Sequence, residues 1–212
     1  MDKLLILGAG GHGKVVSEIA QLMNQWEEIA FLDDREDISE VLEIPIVGRL
    51  ADLPTLTDEF KYAFVAVGNN AARLKWTERL SNHGFKIPTL IHPSSIVSAK
   101  SSIEEGTVIM AGAVVNPDTT IGRSCIINTA STIDHDCTLK DGVHISPGTH
   151  IGGTVKIEKQ TWICIGATII NNINIGQNSV IAAGAVVTKN VPSNVIVAGV
   201  PATIKREFTA FK

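Results

Sequence analysis

The stretch that decides the fold is V-S-A-K-S-S-I-E-E-G-T-V-I-M-A-G-A-V-V-N-P-D-T-T-I-G-R-S-C-I-I-N-T-A-S-T-I-D-H-D-C-T-L, Val97 to Leu139. Every sixth residue in it is aliphatic: Val97, Ile103, Ile109, Val115, Ile121, Ile127, Ile133 and Leu139. The period extends back to Ile91 and on through Ile145, Ile151, Ile157, Ile163, Ile169, Ile175 and Ile181 to Val187. Four residues beyond each stands a small or β-branched side chain, as at Thr107, Ala113, Thr119, Cys125, Ser131 and Cys137. Three beyond there is often a turn former, as at Gly106, Gly112, Gly142, Gly148, Gly166 and Gly184. Alternating antiparallel strands would lose this register at their turns, whereas a repeat of fixed length keeps it. The pattern predicts a triangular parallel β-helix. Each hexapeptide gives one flat face and one corner, and three complete a coil. At a strand spacing of about 4.8 Å the prism should stand roughly 25–28 Å tall, with each coil buried against the next.

Residues 1 to 88 follow another grammar, and the expected boundary lies near Pro88. "KLLILGAGGHG" is a buried strand entering a glycine turn, "KVVSEIAQLMNQ" has helical spacing, "EIAFLDD" is a second strand, and "YAFVAVGNN" leads into the helix "ARLKWTERLSNHG". This is an α/β unit on a parallel sheet, about half of a complete dinucleotide-binding fold. Its turn fits G-x-G-x-x-G through Gly8, Gly10 and Gly13, and the second strand ends in Asp33 and Asp34. Glycines let backbone N–H groups approach a phosphate at the helix start, and a following acid can accept from a ribose or a base. NAD binding is one reading, but the missing second half favours a single nucleotide diphosphate.

Composition excludes several classes. A net charge of −4 over 212 residues argues against nucleic acid or an anionic membrane surface as partner. No apolar run approaches the roughly 20 residues of a membrane span, and the start of the chain does not read as a signal peptide. Three cysteines without paired spacing fit a reducing, cytoplasmic setting rather than a disulfide framework.

The register also sorts the polar residues of the prism. His135, two beyond Ile133, should point outward near a corner between Asp134 and Asp136, whereas Cys137 should point inward. A Cys–His nucleophilic pair is therefore disfavoured, and Cys125 shares the inward phase. His144 also points outward, but nine residues is half of an eighteen-residue coil, so it belongs to a different face. His135 of one chain could meet His144 of the next only if prisms pack side by side as a trimer. His144 and His150 lie on adjacent faces, and the spacing of His135, His144 and His150 does not offer the convergence a zinc site needs, so no metal is expected.

With both halves read, the chain resembles the nucleotide-sugar acetyltransferases of bacterial glycan biosynthesis, the PglD/NeuD-like family, on "GAGGHG", "FLDD", "VAVGNN", "GFKIPTLIHPSS", "STIDHDC", "GVHISPG" and "AGVPA" taken in order. The resemblance implies an α/β Rossmann-like half-domain over residues 1–88 and a left-handed parallel β-helix over 89–212. It implies an acetyl-CoA-dependent N-acetyltransferase acting on a UDP- or dTDP-linked 4-amino-4,6-dideoxy sugar, in a cytoplasmic homotrimer with intersubunit sites. His135 would be the general base and Asp136 its assistant, at a position where family members often carry Glu. His144, Ile165 and Ala183 would contact acetyl-CoA, and Gly10, Gly11, His12, Asp33, Asp34 and Gly68 the nucleotide sugar. Arg35, Asn69 and Asn70 are further candidates. Three other readings stand beside it: O-acetylation of a sialic-acid-type or other sugar hydroxyl, a non-catalytic nucleotide-sugar-binding scaffold, and an NAD-dependent oxidoreductase.

Overall fold

A computed structural model describes residues 2–208. It divides into two compact units between Pro93 and Ser94, so the expected junction at Pro88 falls within the first.

The first unit runs β1 (Asp2–Leu7), α1 (Gly11–Leu22), β2 (Trp26–Leu32), β3 (Glu40–Val41), β4 (Ile44–Gly48), a 3₁₀ turn (Leu50–Leu56), β5 (Tyr62–Val65) and α2 (Asn70–Asn82). The sheet order is β3-β4-β2-β1-β5. Strand β1 is internal, parallel to β2 on one side and β5 on the other. Leu4, Leu5, Ile6 and Leu7 are accordingly buried on both faces, the continuous apolar run that a parallel sheet demands. The order switches at β1, and the carboxyl ends of β1, β2 and β5 carry "GAGG", "DD" and "GNN". A switch point is where open α/β sheets bind ligands.

The β3–β4 hairpin gives no turn signal in the sequence. Its two-residue loop is Leu42–Glu43, with Val41 paired to Ile44, and both loop residues take positive φ, +52° and +63°. Such a loop normally carries Asn-Gly or Asp-Gly.

The second unit is the expected prism. One six-stranded sheet stacks Ile96–Val97, Val114–Val115, Thr132–Ile133, His150–Ile151, Thr168–Ile169 and Val186–Val187. A five-stranded sheet stacks Ser102–Ile103, Thr120–Ile121, Thr138–Leu139, Lys156–Ile157 and Asn174–Ile175. The third face includes Val108–Ile109, Ile126–Ile127, His144–Ile145, Trp162–Ile163, Val180–Ile181 and Val195–Ala198, and closes on an antiparallel strand, Thr203–Glu207. Pairing is parallel with partners eighteen residues apart, for example Val114 with Thr132 and Ile127 with Ile145. From Ile109 to Val187 each sixth aliphatic residue is at most 2% exposed.

Polar groups in the other inward position are satisfied within the prism. Thr107, Thr119 and Thr161 donate their hydroxyls to the carbonyls of Gly122, Asp134 and Gly176, fifteen residues on. The Cys125 and Cys137 thiols do the same toward Lys140 and Gly152. A small donor at that slot therefore meets a carbonyl from the next coil, which is why Thr, Ser and Cys are tolerated in a core that otherwise wants hydrocarbon.

Candidate functional site

The prism corners determine what His135 can do. At every sixth residue from Gly106 to Gly184 the backbone takes a left-handed φ between +54° and +71°. Asp136 occupies one of these corners, at φ +56°. Consecutive side chains on a strand point to opposite faces, so a direct bond between neighbours needs such a break. Here His135 Nδ1 lies 2.7 Å from Asp136 Oδ2. The corner is held on both sides: Asp136 N donates to Pro117 O at 3.2 Å, and Thr154 N donates to His135 O at 2.9 Å. Asp134 Oδ1 accepts from His135 N at 2.8 Å and from Asn116 Nδ2 at 2.9 Å.

A carboxylate only accepts, so Asp136 fixes the proton on Nδ1 and leaves the lone pair on Nε2. The His135 side chain is 53% exposed, so that nitrogen can meet a substrate. The hydrogen bond that the ring donates to Asp136, with the nearby Asp134 charge, raises the imidazole above the usual histidine range. Asp134 is held below the ordinary carboxylate range, first by the His135 N–H and then by Asn116. The short Asp136 side chain reaches the ring directly.

His144 lies on another face, in the strand His144–Ile145, and is half-buried. Its ring stacks on Trp162 with centroids 5.9 Å apart and planes at 12°, and Asn128 Nδ2 lies 3.4 Å from its Nε2. Trp162 donates Nε1–H to Ser146 Oγ at 2.9 Å. The register explains the stack, because Trp162 is one coil above His144 in the same outward position. Ile165 and Ala183 also stand one coil apart, at exposed corner positions. Cys137 is buried in the core, and burial pushes its thiol up, as it does for the half-buried Cys164. Neither is a thiolate nucleophile. Among the described residues no group of three His, Cys, Asp or Glu is placed to hold a metal ion.

In the first unit the glycines of the turn divide into two kinds. Gly8 is at φ +100°, and a Cβ on Gly13 would lie 2.1 Å from the Gly8 carbonyl oxygen. Those two are required by the fold. A Cβ on Gly10, Gly11 or Gly68 would meet nothing within 4 Å, and none of the three takes a positive φ. Their bareness serves no packing purpose and leaves backbone open to a ligand.

Asp33 braces this turn: its Oδ2 accepts from Ala9 N at 2.7 Å, and Arg35 holds both carboxylate oxygens through Nε at 2.8 Å and Nη2 at 3.1 Å. Arg35 first, with the Ala9 N–H, holds its pKa down at about 2. Asp34 Oδ1 accepts from Leu50 N at 3.0 Å. Asn69 caps α2 by accepting from Ala72 N at 2.9 Å, and Asn70 accepts from Arg73. Arg73, which no motif in the sequence singles out, is buried and donates Nη1 to the carbonyls of Val67 and Gly68 at 3.1 and 3.0 Å.

Part of His12 reaches the surface, but its Nε2 is buried without a hydrogen-bond partner. Burial, helped by the Arg73 charge, lowers its pKa to about 4. An orphaned buried nitrogen beside three open glycines is what a bound polar ligand would complete. It also carries a stability prediction. An unfolded histidine titrates near ~6.5, so the unfolded chain binds more protons between about pH 6.5 and 4. Stability should be full above that window and fall by up to about 3 kcal/mol as pH drops through it. Urea unfolding of wild type and His12→Asn at pH 7 and pH 4 checks this. The variant should lose less on acidification.

A glycine turn at a switch point and a repeat prism bearing an exposed, carboxylate-oriented imidazole define a class: acyltransferases that pair a nucleotide-binding α/β unit with a left-handed β-helix. Residues 3–80 match the PglD N-terminal domain family. The chain is 39% identical over 114 residues to UDP-N-acetylbacillosamine N-acetyltransferase of Bacillus subtilis, a match spanning 52% of each chain. It is 32% identical over 171 residues to GDP-perosamine N-acetyltransferase of Escherichia coli O157:H7, covering 77% of this chain and 76% of that one. Among solved structures, a variant of perosamine N-acetyltransferase from Caulobacter crescentus in complex with CoA and GDP-perosamine superposes with a TM-score of 0.93 at 35% identity over 98% of both chains. The acetyltransferase domain of PglB from Neisseria gonorrhoeae, in complex with acetyl coenzyme A, does so at 0.93 and 42% identity, over 95% of this chain and 98% of that one. The chain belongs to the nucleotide-sugar N-acetyltransferases with a PglD-type N-terminal domain.

Proposed function

We propose that the protein transfers acetyl from acetyl-CoA to the amino group of a UDP- or dTDP-linked 4-amino-4,6-dideoxy sugar, by direct transfer with His135 as general base. The observation that carries this reading is the His135–Asp136 pair, whose geometry leaves Nε2 basic on a side chain that is 53% exposed. The amine must arrive as the free base. Its nitrogen attacks the thioester carbonyl, forming the C–N bond, while Nε2 takes the proton that the nitrogen sheds. The C–S bond then breaks, and the imidazolium returns its proton to the departing CoA thiolate. The products are the amide and free CoA, and no covalent enzyme intermediate is required.

The α/β unit is proposed to hold the nucleotide: Gly10, Gly11 and Gly68 give open backbone, and His12 Nε2 a buried polar atom. Asp34 and Arg35 complete that side, with Asp33 fixing the turn. His144, oriented by Trp162, is proposed to approach the acetyl thioester, with the apolar corner of Ile165 and Ala183 along the pantetheine. His135 and His144 lie on different faces, which supports a homotrimer in which neighbouring prisms complete each other's site. No helix of the described residues is long and apolar enough to cross a membrane. A cytoplasmic setting is proposed from the three cysteines, none of them in a disulfide, which suit a reducing compartment.

The test follows thiol release from acetyl-CoA over a panel of UDP-, dTDP- and GDP-linked 4-amino sugars and their hydroxyl analogues. Release with an amino sugar only is expected. Release with none of them would overturn the reading, and release with hydroxyl analogues alone would make the enzyme an O-acetyltransferase. The pH profile gives a second check. Only neutral His135 accepts a proton, so kcat should rise with pH through its raised pKa. Asp136→Asn removes the largest cause of that rise, so the midpoint of the profile should move to lower pH and the plateau should fall.

A further inference from the structure

We propose that Gly153 is a positioning residue for His135: its missing side chain is the space in which the imidazole lies. The inference deepens the reading of His135 as the base, and rests on it for its catalytic consequence. Gly153 stands eighteen residues beyond His135, one coil on, at the same corner position. A Cβ there would lie 2.7 Å from both Cε1 and Nε2 of His135 and 3.3 Å from Cδ2, and no other atom comes nearer. Nothing in the backbone asks for glycine, because Gly153 is not among the residues with positive φ. The left-handed position in that corner belongs to Thr154, at φ +60°.

The same corner position elsewhere in the prism holds Ala99, Glu105, Ala111, Pro117, Arg123, Thr129, Asp141, Pro147, Lys159, Ile165, Asn171, Gln177 and Ala183. Glycine occurs there only above the histidine. A corner of this repeat therefore accepts nearly any side chain, and it is the ring beneath that excludes one at 153. Moving the ring aside disturbs its orientation, because its Nδ1 is tied to Asp136 at 2.7 Å while its backbone is held by Thr154. An added methyl would have to break the first of these contacts or tilt Nε2 away from its direction.

Gly153→Ala should therefore act on the histidine and not on the prism. The direct readout is the titration of the His135 ring by NMR in wild type, Gly153→Ala and Asp136→Asn. Both variants should lower the His135 midpoint toward the ordinary value near ~6.5. In turnover, Gly153→Ala should reduce kcat by roughly 10²-fold, the order expected of a misplaced reacting group. KM for acetyl-CoA should change far less. A double-mutant comparison of melting temperatures guards against a variant that folds poorly. Gly153→Ala should lower Tm in the wild-type background but not in His135→Ala, where the methyl meets space and a glycine-to-alanine change at a permitted φ favours the fold.

An unshifted His135 titration in Gly153→Ala would overturn the proposal, as would an equal loss of Tm in both backgrounds. These two readouts need no acceptor sugar. Should wild type release no CoA with any acceptor, the acetyltransfer reading fails, while the titration and melting data still decide whether Gly153 positions the ring.

Discussion

His135→Ala should reduce kcat for acetyl transfer by about 10²–10⁴, the range for loss of a positioned general base, and should leave the melting temperature nearly unchanged. The two halves of that expectation rest on the same geometry. The side chain is 53% exposed and its only described polar partner is the neighbouring Asp136, so its removal opens no cavity in the core. The coil is held by backbone bonds that alanine retains, from Thr154 N to residue 135 O and from Asp136 N to Pro117 O. What disappears is a basic nitrogen whose tautomer is set by a carboxylate. Residual activity should survive through the binding of the two cosubstrates and rise with pH, because more of the acceptor amine is then unprotonated and solvent hydroxide can take the proton it sheds on attack. Steady-state kinetics with the best acceptor of the panel measures this. An unchanged kcat would remove His135 from the role of base.

The prism was legible because its physics is repetitive: one aliphatic residue per six, pointing inward through every corner, leaves no second register. That legibility extended to Cys137 inside and His135 outside, since phase alone determines both. It did not extend to contacts along the stacking direction. Trp162 on His144 and Gly153 over His135 are each eighteen residues from their partner. Neither forms a local motif, although once the coil length is known the eighteen-residue offset points to both. In the α/β unit the strands and helices followed from apolar runs and helical spacing. The β3–β4 hairpin did not, because Leu42 and Glu43 adopt a turn that other residues usually make. Arg73 escaped for another reason: burial of a helix charge depends on carbonyls presented by the preceding loop, and those become visible only in three dimensions.

Gly13→Ala and Gly10→Ala should have opposite signatures, although both alter one motif. At Gly13 the new methyl would sit 2.1 Å from the Gly8 oxygen, 3.0 Å from its carbon and 3.4 Å from Phe31 Cε1. Two of those atoms are backbone and the third belongs to a buried ring. Helix α1 cannot withdraw, since Val16, Ile19 and Ala20 are buried beneath it. The turn cannot yield either, because Gly8 N is bonded to Leu32 O and Ala9 N to Asp33. Overpacking of a rigid site costs roughly 1–3 kcal/mol and more where backbone must move, against a total stability of about 5–15 kcal/mol for a domain. Gly13→Ala should therefore lose a substantial part of the stability of the α/β unit, seen as an early separate transition in calorimetry, with nucleotide binding weakened alongside. Gly10→Ala adds a methyl to open space at φ −75°. Its melting should stay close to wild type, while titration calorimetry with UDP, dTDP and GDP should show affinity reduced by an order of magnitude or more for the nucleotide the enzyme uses. Equal destabilisation by the two variants would mean that the open glycines are part of the packing after all, and would remove the argument that they were left bare for a ligand.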